Sequence, residues 1–564
     1  MDNRKYNIYF HTHTISGIII CGLLYVIFFA GSFAFFKDDI AAWQQNRSNH
    51  QNEVVKKDFA IVIDSLSKKH KLKGRDFDFN MQRSGVGAYV SMSASHDTTL
   101  KKKPKEGRHP KQAKRKGRGR RGNDDSEFFT YDFASKKASD YTTSYTMGEF
   151  FYRLHFLAPL NEVPIRLGTP FGYLIAGIVS FIFVFALLTG LLLHWDKIKS
   201  NFFVFRPWNK WKTVWTDLHT ALGVIGFPFQ FVFAVTGVVL IANFLLVSPY
   251  TQFLYKGKAE VLYHELEYSD TTQYKYSYKP LDKDFDVNGF VSQIEGKWHN
   301  SELTSVAIRN YQDSNMHVIV QAKPQTTQQY AGLGKLIYRV HDGKIIYEKS
   351  PLASATYVDK VKSLIYHLHF GDFGGRPLRV MFFVLGIMGC IVINSGVLIW
   401  LVARDKNNVA ARKRKFNFWT ANVFISSSMA MLPVAAITMI AVIVSKTAGQ
   451  PFIYHWFFYT WLVLSVYFLI RRDLSIVNRQ SFLLSAVTCL ALPVVDGLIR
   501  GNWIWVTFAK QAYDLLFIDV FFICLSVISA VIYLKVKNRK PQTPNTNNVT
   551  RTGDKRPKVQ LSEV

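Results

Sequence analysis

The chain has 564 residues, 49% of them apolar and 15% aromatic, gathered in long uncharged blocks that exclude an ordinary soluble globular protein. Its 69 Lys and Arg exceed its 40 Asp and Glu, for a formal net charge of +29 at pH 7, so the remainder of the chain is strongly basic. All four cysteines, Cys21, Cys390, Cys489 and Cys524, fall inside apolar blocks, which argues against a disulfide framework or a Cys-based metal site and for small apolar side chains.

A block of about 20 apolar residues is long enough to span a bilayer as a helix. The first, at 15–36, follows Arg4 and Lys5 but exceeds the core of roughly 7–15 residues usual for a secretory signal, so a retained span at 1–36 is expected. Residues 37–170 then form a soluble segment. In it "EVVKKDFAIVIDSLSKKH" reads as helix, "FDFNMQ" and "GAYVSMSAS" as strands, and "SEFFTYDFASKKASDYT" completes the outline. The run "KKKPKEGRHPKQAKRKGRGRRG" at 101–122 cannot bury a core, and a disordered, solvated insertion at 99–125 is expected. Its charge could attract anionic lipid headgroups, nucleic acid or an acidic ligand.

Two more spans, at 171–194 and 219–247, fill 171–247 and lead to a second soluble segment at 248–377. There "VNGFVSQIEGKW" has helical spacing, and "LTSVAIRNY", "MHVIVQAKP" and "KLIYRVHDGKIIYEKS" alternate as strands, with Asp342-Gly343 marking a two-residue hairpin turn. The fourth span, at 378–402, ends in a basic loop at 403–421. Four further spans, at 422–445, 455–470, 481–499 and 512–535, fill 422–535, and 536–564 reads as a disordered tail. Asp496, in "LPVVDGLIR", is read as the one intramembrane carboxylate among these four, a candidate for a proton or quinone role.

Charge orients the spans, because short cytoplasmic loops collect Lys and Arg. With the N-terminus inside, the inner loops hold Lys197, Lys199, Arg206, Lys210 and Lys212, then Arg404, Lys406 and the 412–415 run, then Arg471, Arg472 and Arg479. The opposite short loops hold only Lys446, Arg500 and Lys510. The fold expected is a polytopic α-helical membrane protein with both termini cytoplasmic and two extracytoplasmic α+β domains. A helix, a soluble domain and a helix recur, so the first four spans read as a four-helix bundle made by internal duplication. A soluble portion outside the cytoplasm makes nucleic-acid binding an unsuitable role.

Position singles out four of the sixteen histidines. His13 opens the first span and His219 the third, both at the cytoplasmic face. His155, in "YRLHFLAPL", precedes the second span and His369, in "YHLHFGDFGG", the fourth, both at the outer face. Cofactor sites in helical bundles are built from side chains on facing helices, so each pair can meet. The surrounding pattern repeats as well. Gly31 lies 18 residues after His13 and Gly237 lies 18 after His219, while "LLTGLLLHW" and "INSGVLIWL" end the second and fourth spans alike. Gly17 and Gly223, four residues after His13 and His219, share a helix face with them and leave room for a flat macrocycle.

Two facing imidazoles above small residues suit a six-coordinate haem, which favours electron transfer over oxygen chemistry. Zinc fits less well, because few carboxylates or thiolates stand by to complete a tetrahedron. By spacing alone, helix-capping or interfacial histidines remain open beside haem. His11, His367 and His194 are second choices as ligands, and His455 reads as an interfacial residue. Trp195, Trp208 and Trp215 read as interfacial anchors and not as electron relays.

The histidine at each of four spans, "DLHTALGVIGFPFQFVFAVTGVV" and "LHFGDFGGRPLRVMFFVLGIMGCIVINSGVLIWL" together resemble the PepSY-associated transmembrane family over about residues 5 to 405. Its extracytoplasmic segments carry PepSY-type domains, and it includes bacterial inner-membrane, haem-containing ferric-siderophore reductases. The resemblance implies His13, His219, His155 and His369 as axial ligands of two b-type haems. It also implies a ferric-siderophore as substrate, reduced at the outer face so that iron is released. The family pattern has Arg and an aromatic residue after the first-span and third-span histidines, where this chain has Thr14 with Ile15 and Thr220 with Ala221. Phe156 follows His155 in place of Arg. These departures leave ligation possible and bear on the haem's surroundings.

No Gly-x-Gly-x-x-Gly after a soluble strand and no P-loop occurs, so electrons must come from a separate cytoplasmic reductase or from quinol. One alternative is a haem-free membrane protein whose soluble segments bind peptide or regulate a protease. Another is a haem conduit to a different periplasmic acceptor.

Overall fold

The computed structural model describes residues 2–47, 55–82, 86–100, 126–165, 169–206, 209–241, 243–266, 272, 274–326, 329–406, 408–445 and 447–538. The basic run at 101–122 and most of the C-terminal tail lie outside the described residues.

Eight helices are long and apolar enough to cross a membrane: Asn3–Ala34, Phe171–His194, Trp211–Ile241, Gly375–Arg404, Ala411–Val444, Gln450–Arg471, Leu474–Arg500 and Tyr513–Lys537. They match the eight apolar blocks in order. Several outrun them, because flanks such as "RKYNIYFHTHT" and "WKTVWTDLHT" hold no Gly or Pro to stop a helix. His13 and His219 therefore sit well inside their helices and not at their starts. Pro228, Pro433 and Pro493 lie within spans, where neighbouring helices and local adjustments can satisfy the freed carbonyl.

Residues 1–51, 145–247 and 368–564 form one compact unit. In it the first span packs on the second and fourth, and the third packs on the same two, so the first and third face each other diagonally across a four-helix ring. The fifth span packs on the fourth, sixth and seventh, and the seventh packs on the eighth. The short helices Lys37–Gln44 and Met147–His155 pack on each other; the first also meets the eighth span and the second also meets the first span.

The second unit comprises 52–144 and 248–367. Its strands are β1 (Phe77–Met81), β2 (Gly87–Met92), β3 (Glu127–Asp132), β4 (Lys137–Asp140), β5 (Ser301–Arg309), β6 (His317–Pro324), β7 (Gly334–Arg339) and β8 (Lys344–Lys349). The expectation of two separate small domains gives way here. The strands form one antiparallel sheet in the order β4-β3-β2-β1-β5-β6-β7-β8, joined where Phe77 of β1 pairs with Ile308 of β5. An unpaired edge strand offers its backbone groups to any other chain, and mutual pairing of β1 and β5 removes two such edges.

Helices Phe59–Ser67 and Val287–Lys297 cover this sheet with a shared core of Phe59, Val62, Val291 and Ile294 on Phe77, Phe79, Val306 and Val320. Burying each such side chain stabilises by about 1.5–3 kcal/mol relative to exposure. The first helix is shorter than its apolar pattern suggests, because Asp58 caps it by accepting from Ile61 N at 3.1 Å. Asn288 clamps the two helices together. Its Nδ2 donates to Asp58 Oδ1 at 2.7 Å and its Oδ1 accepts from Phe59 N at 2.8 Å. The β7–β8 connection holds four residues, Val340 to Gly343, and not the two expected, since Arg339 pairs with Lys344. Gly343 supplies the positive φ that it needs.

Candidate functional site

The four singled-out histidines meet in two pairs inside the four-helix ring. The ring centres of His13 and His219 are 6.0 Å apart, and those of His155 and His369 are 5.8 Å apart. The first pair reaches across the bundle from the diagonal first and third spans. The second pair comes from helices that precede the second and fourth spans, Met147–His155 and Tyr357–Phe370.

Each imidazole is held by its Nδ1. His13 donates to Ala186 O, His219 to Val392 O and His155 to Ile27 O, all at 2.8 Å. His369 is bonded instead to Thr236 Oγ1, also at 2.8 Å. The Thr236 hydroxyl spends its own proton on Val232 O at 2.5 Å, so its oxygen is the acceptor for His369. A carbonyl or committed hydroxyl partner places the ring proton on Nδ1, leaving the Nε2 lone pair of the neutral ring for a ligand.

Glycine makes the approach possible. The carbonyl that accepts from a histidine lies one turn before a glycine: Ala186 before Gly190, Val392 before Gly396, Ile27 before Gly31. A Cβ on Gly190 would meet the His13 ring at 3.0 Å, on Gly396 the His219 ring at 2.9 Å, and on Gly31 the His155 ring at 2.5 Å. The ring thus lies over a bare patch of helix backbone. His13–Ala186 and His219–Val392 are both separated by 173 residues, so one local arrangement occurs twice.

Gly17 and Gly223, expected to leave room for a macrocycle, touch no histidine ring. A Cβ on either would meet nothing within 4 Å, so both border open space. Spacing alone singles out Gly31 and Gly237. Gly190 and Gly396 were legible as repeated letters without a role, because the sequence does not say which histidine crosses which helix.

His155 owes its place to the short helix that carries it. Thr146 caps that helix by accepting from Glu149 N at 3.2 Å, and Gln44 Oε1 accepts from Met147 N at 2.7 Å. Glu149, buried, binds Lys37 and Arg153 at 2.6 Å each. A Cβ on Gly148 would meet Lys37 O at 2.0 Å, which fixes how closely the helix docks. The helix bearing His369 stops at Phe370 because Gly371 takes a positive φ of 59°.

The second-choice residues fall elsewhere. His11 is exposed beside Phe10. His367 belongs to the sheet-bearing unit, where its Nε2 is hydrogen-bonded to Tyr330 O at 3.1 Å. His194 is half-buried at the end of the second span and near enough to His219 to interact electrostatically. His455 is exposed and stacked on Tyr459. Trp195 is exposed, but Trp215 is buried and stacks on Trp211, so it is no surface anchor. Trp208 lies outside the described residues. The four cysteines are free thiols.

Asp496 is fully buried and accepts from Asn502 at 3.0 Å and Arg500 at 3.3 Å. It is not the only carboxylate in the last four spans. Asp519, also fully buried, accepts from Trp43 Nε1 at 3.1 Å. Arg500 further donates to the carbonyls of Trp43 and Gln44 at 3.0 Å each. Hydropathy passes over Asp519 in "LFIDVFFI" because its apolar neighbours outweigh a single acid. Asp39 adds a second network, binding Arg376 at 3.0 Å and Arg379 at 2.7 Å, and Arg376 also pairs with Asp514.

The donor set limits the chemistry. Among the described residues no group of three or more His, Cys, Asp or Glu forms a metal site. Each centre offers two nitrogens, short of the four that zinc prefers. Imidazole nitrogen binds first-row metals at about 2.0 Å, so two rings on opposite sides of one ion would have centres about 6 Å apart. The two pairs match that spacing. A haem iron, whose porphyrin occupies the remaining positions, is the group these residues fit.

Comparison with known proteins agrees with the sequence reading. The family model described as the PepSY-associated TM region matches residues 10–403, which take in all four histidines and the sheet-bearing segments. No curated protein matches the chain. With the greater part of its length covered and its spans in place, the chain is a multi-pass membrane protein that belongs to the PepSY-associated TM region family.

Proposed function

We propose that this protein is an inner-membrane reductase that holds two b-type haems and delivers electrons to ferric iron, as a ferric-siderophore, on the periplasmic side. The observation that carries the reading is the two facing histidine pairs, each ring tethered through Nδ1 with Nε2 left for a metal. His13 and His219 would hold one haem, His155 and His369 the other. Bis-imidazole haem supplies reversible one-electron chemistry at the iron.

The chain's own residues do the rest. Gly31, in contact with the His155 ring, lies 18 residues beyond His13 on one helix. That separates the pairs by about 27 Å along the axis, close to the roughly 30 Å of a bilayer core. With both termini cytoplasmic, as the loop charges favour, the His13–His219 pair faces the donor and the His155–His369 pair the acceptor. The donor, a quinol or a cytoplasmic reductase, loses one electron for each Fe(III) that becomes Fe(II). Ferrous iron binds siderophore oxygens less tightly, and release follows. Aromatic contacts in the ring, Phe28 against Phe183 and Phe233 against Phe382, would help to keep water from the path.

The test is a reduced-minus-oxidised absorbance spectrum of the detergent-purified protein with haem per chain quantified, followed by ferric-siderophore reduction in proteoliposomes with a quinol donor. Low-spin b-type bands at two haems per chain and ferrous product are expected. Haem-free protein after expression with ample haem would overturn the reading and favour a peptide-binding or protease-regulating role.

A further inference from the structure

Three of the four histidines obey one rule, donating to a helix carbonyl one turn before a glycine, and the fourth departs from it. By that rule His369 would donate to Phe233 O, one turn before Gly237. Instead the Thr236 hydroxyl stands between them. Its oxygen accepts from His369 at 2.8 Å and lies 3.3 Å from Phe233 O. The His369 ring is correspondingly further from its glycine, 3.7 Å from a Cβ on Gly237 against 2.5–3.0 Å at the other three. A hydroxyl residue precedes the glycine at three of the four sites, but Thr189 and Ser395 donate to Ala186 O and Val392 O at 3.1 Å and leave those carbonyls to His13 and His219, whereas Thr236 takes the place of Phe233 O as the partner of His369; Ala30 precedes Gly31 and has no hydroxyl.

We propose that Thr236 is a positioning residue that raises the reduction potential of the His155–His369 centre above that of the His13–His219 centre, making electron flow toward the acceptor side downhill. This rests on the haem reading above. A hydroxyl oxygen is a weaker acceptor than a peptide carbonyl, so it draws less on the Nδ1 proton and leaves the imidazole a poorer electron donor through Nε2. A less basic axial ligand stabilises ferric iron less, and the potential rises. The His13–His219 centre has two carbonyl acceptors, whereas the other has one carbonyl and one hydroxyl.

Thr236→Ala removes the hydroxyl and opens the way for His369 to reach Phe233 O, as its three counterparts reach theirs. Thr236→Ser keeps the hydroxyl. The experiment is a spectroelectrochemical redox titration of the full-length holoprotein in detergent, with haem per chain measured in every variant. The wild type is expected to show two waves, the higher one missing in His369→Ala. Thr236→Ala should lower that wave alone and Thr236→Ser should hold it, both with two haems per chain. The inference is overturned if the higher wave is the one lost in His13→Ala, or if Thr236→Ala with full haem leaves both waves in place. Absence of haem from the wild type would instead remove the reading on which it rests.

Discussion

His13 and His219 reach toward each other from diagonal spans, ring centres 6.0 Å apart and inclined by 66°, and neither ring is held by the helix that carries it. Each is tethered by a neighbouring span, through Ala186 and Val392. The pair is therefore a property of four helices at once. His155 and His369 repeat this at the other end of the ring.

Removal of one ligand should empty one centre and spare the other. His13→Ala or His219→Ala is expected to leave one haem per chain, held by His155 and His369, and His155→Ala or His369→Ala should leave the reverse. Extracted haem per chain in each purified variant decides this, and unchanged stoichiometry in all four would sink the ligand assignment.

The glycine seats make a graded prediction. Alanine at Gly31, with a Cβ 2.5 Å from the His155 ring, should disturb its pair most, and alanine at Gly237, at 3.7 Å, least. Overpacking of this kind costs about 1–3 kcal/mol. Haem retention during detergent gel filtration should fall in the order Gly237→Ala, then Gly190→Ala and Gly396→Ala together, then Gly31→Ala. Equal retention would show that the rings have room to move.

Arg500 is the cation by which Asp496 and the carbonyls of Trp43 and Gln44 are satisfied. Arg500→Ala leaves a buried carboxylate without its charge partner and should cost about 3–5 kcal/mol. Asp519→Asn keeps an acceptor for Trp43 Nε1, removes a fully buried carboxyl that lies near Asp496, and should be neutral or stabilising. Thermal unfolding in the same detergent should place Arg500→Ala several degrees below the wild type and Asp519→Asn at or above it.

In the sheet-bearing unit, Phe77 is fully buried and sits at the β1–β5 seam. Phe77→Ala should cost about 3–5 kcal/mol through lost burial and the cavity left behind. Because the seam joins both soluble segments, protease sensitivity should rise in 55–82 and 274–349 together. Cleavage confined to the first segment would mean that the two halves fold independently.

Much of this was legible in the letters. Apolar length gave eight spans in order, because a bilayer demands the same continuous run of every crossing helix. Period-two alternation located six of the eight strands, and placement at repeated positions picked out His13, His155, His219 and His369 from sixteen histidines. The edges were less legible. Helix continues through polar flanks that hydropathy leaves out, so His13 and His219 lie further inside their helices than expected, and Asp519 was hidden by its neighbours.

What the sequence by itself determined are local quantities: span number, strand pattern and the histidines that recur. Only the tertiary structure decided that β1 pairs with β5 to fuse two soluble segments into one sheet. It alone placed Ala186, Val392, Ile27 and Thr236 under the four rings, and made Gly31, Gly190 and Gly396 the seats of three of them. The physical reason is the same in each case. A hydrogen bond between residues 173 apart, or a ring lying on a bare stretch of another helix, depends on which helices pack together, and no local periodicity encodes that choice.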